Sequence, residues 1–87
     1  MELYKIEWKR SAAQELEKLP KETIAGVLKA IEQLTVNPYP PGARKLVGSQ
    51  HSYRLREGSY RIIYTISSLS LMIEIIRVGH RKDVYKR

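Results

Sequence analysis

The chain has 87 residues, 16 of them Lys or Arg against nine Asp or Glu, a formal charge of +7. At that length the expectation is a single domain, residues 1–87, with a thin stability margin, and a hydrophobic content of 43% is too high for disorder. The absence of cysteine excludes disulfides and cysteine-ligated metals, and the positive excess favours a polyanion, an acidic protein or an anionic membrane as partner.

The opening "MELYKIEWKR" contains no apolar run of signal-peptide length, and no segment approaches the roughly 20 apolar residues that span a bilayer. A cytoplasmic protein without a membrane partner is the expectation. In "LYKIEW", Tyr4, Ile6 and Trp8 alternate with Leu3, Lys5 and Glu7, the pattern of a strand with one buried face. Ser11 followed by Gln14 has the spacing of a capping box, and Ala12, Leu16 and Leu19 continue at helical intervals as far as Pro20. A second helix is expected from Lys21 to Val36, with Ile24, Val27, Leu28, Ile31 and Leu34 as its apolar stripe. Asn37-Pro38 ends it.

A Pro- and Gly-rich stretch follows, with room for one extra short strand at Lys45–Val47. Strands are then expected at Tyr53–Glu57, Tyr60–Ser67 and Leu71–Val78, joined by short turns, with Gly79 breaking the last. The order β-α-α-β-β-β implies an α+β domain, two N-terminal helices packed on one face of an antiparallel sheet.

The segment "YRLREGSYRIIY" carries the chemistry. Gly58-Ser59 fits a type II′ hairpin turn, with glycine at its first central position. The register then opposes Tyr53 to Tyr64, Leu55 to Ile62 and Arg56 to Arg61. Leu55, Ile62 and Tyr64 fall on the face that suits the helices, and Arg54, Arg56 and Arg61 share the other. Like charges opposed across a ladder are destabilising. Splayed, solvated arginines, or compensation by Glu74, would explain one such pair. Three on one hairpin of a +7 chain point to an anion site, because guanidinium binds phosphate through two parallel N–H bonds. Beyond Gly79, His80, Arg81, Lys82 and Tyr85 are expected to leave the sheet as a polar tail.

"YRLREGSYRIIY", with "IEIIRVGHRKDVYKR" after it, resembles the toxins of the RelE/ParE superfamily, most closely the RelE branch. The likeness extends through "LEKLP", the helix end before "NP", and "ARKLVG". It implies a RelE-like fold and a toxin that enters the A site of the 30S ribosomal subunit, cleaves mRNA there and is held inactive by a cognate acidic, RelB-like antitoxin. It also implies that Arg54, Arg56, Arg61, Arg81 and Tyr85 form the catalytic set. Some family members have lysine at the first two positions. Arginine keeps the charge but hardly releases a proton, which argues against proton transfer by Arg54 or Arg56. Histidine is a common proton-transfer side chain, so His80 could share the proton work of Tyr85. Lys9, Arg10, Arg44, Lys45 and Lys82 are candidate RNA contacts outside the reaction centre. No metal or other cofactor is implied. ParE-type members share the fold but poison DNA gyrase, which is the competing expectation.

Overall fold

The computed structural model describes residues 3–80 and residue 82. Its elements are β1 (Lys5–Trp8), α1 (Arg10–Glu17), α2 (Lys21–Leu34), β2 (Arg44–Lys45), β3 (Ser52–Glu57), β4 (Tyr60–Ser67) and β5 (Met72–His80). The sheet order is β1-β5-β4-β3-β2. Both helices cover one face, in an α+β arrangement. The sheet is mixed, and this corrects the antiparallel expectation: β1 runs parallel to β5, with Ile6 beside Ile73 and Trp8 beside Ile75. The meander of β2 to β5 uses only local antiparallel turns. The free edge of β5 then remains for the N-terminal strand.

The apolar alternation of β1 does what the sequence implied. Tyr4, Ile6 and Trp8 pack against a core of Ala12, Val27, Ile31, Leu34, Leu55, Ile62, Tyr64, Ile66, Ile73, Ile75 and Val78. The stripe of α2 is narrower than its spacing suggested, because Leu28 is 44% exposed. The extra strand occupies Arg44–Lys45, and Val47 lies fully in solvent.

Helix α1 begins two residues earlier than the capping-box reading requires. Its N-cap is Lys9, with no side-chain cap, and Ser11 lies inside the helix. The ladder explains this. The Lys9 N–H donates to the Ile75 carbonyl at 3.0 Å, while the Lys9 carbonyl accepts from the Ala13 N–H at 3.0 Å. One residue therefore ends the strand and opens the helix.

Tyr64 anchors the loop after α2 by donating its hydroxyl to the Pro38 carbonyl at 2.9 Å. Tyr53 stacks on Tyr64, and Tyr39 meets the Tyr53 ring edge-on. Burial raises the Tyr64 hydroxyl above the ordinary tyrosine range, and the neighbouring Tyr53 and Tyr39 hydroxyls add to the shift.

Candidate active site

The β3–β4 register matches the one derived from the turn. Arg56 opposes Arg61, Leu55 opposes Ile62, and Tyr53 opposes Tyr64. Gly58 has φ 61°, the positive value required at the first central position of a type II′ turn, which glycine adopts without a steric penalty.

The pairings order the face turned away from the helices into rows. Arg56, Arg61 and Gly79 form one row, and Arg44, Arg54, Ile63 and Arg77 form the next. Ser52, Thr65, Glu74 and Glu7 lie in a row at the other end of the sheet. Same-face neighbours along a strand are roughly 7 Å apart, so one end of this face is basic and the other acidic. Glu74 is therefore not the compensating partner of the hairpin arginines. A cleft of about 650 Å³ lies at the acidic end, lined in part by Glu7, Ser52, Thr65 and Glu74. Its carboxylates repel phosphate, so the basic end is the better anion site although the cleft is roomier.

Arg61 is the one charged residue buried among those described, at 5% exposure. Its Nη1 donates to the Tyr60 carbonyl at 3.3 Å, and its buried Nε–H meets no acceptor among the described residues. A guanidinium cannot discard its proton to escape burial, so an incompletely paired one in the sheet is costly. Arg54 is half-buried, and Arg56 and Arg44 are exposed. Together they give the basic end both a fixed cation and adaptable ones.

The other candidates divide. Strand β5 continues through Gly79, so His80 belongs to the sheet and not to a tail. It pairs with Tyr60, one residue out of phase with Arg61, and therefore lies on the helix side. Its ring meets Tyr60 edge-on at 5.5 Å, and its Nδ1 accepts the Lys82 N–H at 3.2 Å. Lys45 pairs with Tyr53 and so falls on the face opposite Arg44. Lys9 and Arg10 are exposed at the β1–α1 junction, on the far edge of the sheet from β3. Lys82 is exposed just beyond β5. Arg81 and Tyr85 lie outside the described residues.

Sequence reasoning missed Glu15. Its carboxylate takes the Arg77 Nη2 at 3.0 Å and the Val78 N–H at 3.0 Å. No local signal links groups so far apart in the chain.

A fold of two helices on a five-stranded mixed sheet is shared with solved toxin structures. The family model described as the ParE toxin of the type II toxin–antitoxin system parDE matches residues 6–85, and the chain belongs to this family. Toxin RelG of Mycobacterium tuberculosis is 33% identical to it over 88 residues, covering 97% of this chain and 98% of the relative. The toxin–antitoxin complex RelBE2 of Mycobacterium tuberculosis contains a chain that superposes with a TM-score of 0.79 at 28% identity, covering 91% of this chain and 99% of that one. The archaeal RelE–RelB complex of Pyrococcus horikoshii gives a TM-score of 0.81 at 27% identity, covering 92% and 97% respectively. Among the described residues, no helix is long and apolar enough to cross a membrane.

Proposed function

We propose that this toxin is a ribosome-dependent endoribonuclease that cleaves mRNA in the A site. The observation that carries this reading is the buried Arg61 guanidinium, set in a row with Arg56 and with an Nε–H that meets no acceptor among the described residues.

RNA brings its own nucleophile. The 2′-oxygen bonds to the adjacent phosphorus as the bond from phosphorus to the 5′-oxygen breaks, leaving a 2′,3′-cyclic phosphate and a 5′-hydroxyl. The reaction requires in-line placement, removal of the 2′ proton, stabilisation of the added negative charge and protonation of the leaving oxygen. Arg61 stabilises the phosphoryl charge, with Arg54 and Arg56 beside it. Tyr85 takes the 2′ proton, and Arg81 supports the leaving oxygen. These last two roles rest on the family resemblance. Tyrosine has an ordinary pKa of about 10, and a guanidinium placed beside a phenol favours the phenolate. The helix-side position of His80 supports Tyr85 over His80 as base. The ribosome supplies mRNA positioning, which reduces what the small protein must provide. Lys9, Arg10, Arg44, Lys45 and Lys82 contribute attraction to RNA. The partner that silences the toxin is an acidic, RelB-like antitoxin, in keeping with the antitoxin complexes formed by the structural relatives. The site of action is the cytoplasm, where ribosomes meet mRNA.

The match to a ParE family description favours one alternative, inhibition of DNA gyrase. Primer extension on mRNA from a translation reaction containing the toxin separates the two. Cuts within A-site codons, lost in Arg81→Ala and Tyr85→Phe but kept in His80→Ala, are expected. Intact mRNA together with blocked supercoiling by gyrase would replace the nuclease reading.

A further inference from the structure

The bare face changes sign along β4, the central strand of the sheet. Arg61, Ile63 and Thr65 follow one another on that strand. Their rows pass from Arg56 and Arg61, through Arg44, Arg54 and Arg77, to Ser52, Glu74 and Glu7. Rows are roughly 7 Å apart, close to the repeat of an extended nucleotide chain. An RNA strand lying along β4 therefore meets cations in two rows and carboxylates in the third. Glu74 stands directly beside Thr65, the next position on that path.

Shape alone would let the strand continue. The cleft of about 650 Å³ opens at the third row, and Ser49, Ser52, Thr65 and Ser67 give it hydroxyls that suit a sugar–phosphate chain. Glu7 and Glu74 are the charged side chains of its lining, His51 apart. Both are exposed, and they oppose each other across the β1–β5 ladder. Like charges so placed are destabilising. Neither carboxylate forms an ion pair among the described residues. Lys5 and Lys9 flank Glu7 along the chain, but the row neighbours of Glu74 are Thr65 and Glu7. In a chain with 16 Lys and Arg, stability does not account for this pair.

A trinucleotide has two internal phosphates, one for each arginine row. The ribosome presents mRNA in its A site one codon at a time and holds the flanking nucleotides itself. A longer free RNA would bring its next phosphate to the carboxylates.

We propose that Glu7 and Glu74 are specificity-determining residues that bar the cleft to phosphate, so that the sheet accepts a codon presented by the ribosome and rejects longer free RNA. Repulsion directed at the wrong partner is a general route to specificity. The proposal rests on the nuclease reading and adds to it the groups that exclude free RNA.

Equilibrium binding of the full chain to 2′-O-methyl RNAs, which cannot be cut, tests it. A trinucleotide and a nonanucleotide are compared at low salt. The proteins are the wild type, Glu7→Gln/Glu74→Gln, and Glu17→Gln/Glu32→Gln, which makes the same change of net charge at exposed positions of the helices. The cleft variant should bind the nonanucleotide roughly fivefold more tightly, the relief of two carboxylate repulsions across about 7 Å of water. Its slope of log K against log salt should steepen by about 0.7 for each phosphate recovered. The trinucleotide should gain much less, and the helix variant should show no such preference for length. The cleft variant should melt no lower than wild type, since a like-charge pair is relieved, and should cut mRNA on programmed ribosomes at the wild-type rate. The barrier is overturned if the nonanucleotide gains nothing, if both lengths gain equally, or if the helix variant gives the same selective gain. A selective gain in a toxin that cuts no mRNA on ribosomes would keep the barrier and overturn the nuclease reading alone.

Discussion

Glu15 on α1 and Arg77 on β5 are 62 residues apart in sequence and joined by a 3.0 Å ion pair. The same carboxylate accepts the Val78 backbone N–H at 3.0 Å. The β1 ladder ends at Ile75, with the Lys9 N–H as its last donor to β5. Beyond that point β5 would present an open edge, and α1 closes it with one carboxylate. The site row of Gly79 and Arg61 is one residue further along.

Glu15→Ala should therefore destabilise the fold by about 1–2 kcal/mol, most of it from the charge-assisted bond to the Val78 N–H. A partly exposed ion pair contributes little by itself, so Arg77→Ala should cost less. Denaturant midpoints give the ranking. Hydrogen exchange at the Val78 amide should accelerate in Glu15→Ala and change little in Arg77→Ala.

Stability and activity should move in opposite directions at Arg61. Replacing an incompletely paired buried charge with an apolar side chain of similar length is often stabilising. Arg61→Met should raise stability by about 1 kcal/mol while lowering the cleavage rate on the order of 10²–10³-fold. Urea unfolding beside single-turnover cleavage measures both. A variant that is both less stable and fully active would place Arg61 in the structure and outside the chemistry.

Alkaline pH should loosen the core through Tyr64. Burial raises its folded-state pKa above the ordinary value. The unfolded chain releases the proton near pH 10, whereas the folded chain retains it. The stabilisation is complete below about pH 10 and declines as pH rises above it. Tyr64→Phe should remove that part of the pH slope. At neutral pH it should cost about 1 kcal/mol through the lost bond to the Pro38 carbonyl. Urea midpoints on either side of pH 10 test both statements.

Ribosome binding should weaken steeply with salt, because each cation–phosphate contact releases a counterion. Arg44→Ala and Arg56→Ala, both at exposed positions of the basic end, should each reduce the slope of log K against log salt by about 0.7–0.9. Lys45→Ala, on the opposite face, should change it less. Equilibrium binding to purified ribosomes at several salt concentrations provides the comparison.

The β3–β4 hairpin was legible from sequence alone. Turn type fixes register, and register fixes which side chains share a face, so Arg54, Arg56 and Arg61 could be grouped before any fold was known. The buried face of β1, the order of the elements and the three main strands followed from equally local periodicities. The boundary errors arose where a distant partner intervened. Ser11 is a sound N-cap in isolation, but the backbone of Lys9 is already committed to Ile75. Gly79 is a reasonable strand breaker by composition, but β4 continues alongside and pairs it with Arg61.

Only the tertiary structure decided three things: that β1 lies parallel to β5, that Glu15 closes the β5 edge, and that Arg61 is buried opposite a glycine. Each is a contact between segments far apart in sequence. Such a contact forms after a large loop-closure cost has been met by the whole core, so no short window of residues encodes it. The sequence by itself determined the charge, the hairpin and the arginines they share, because those depend on turn geometry and alternation within a dozen residues. How deeply one of those arginines is buried, and what stands beside it, depended on the packing of the complete domain.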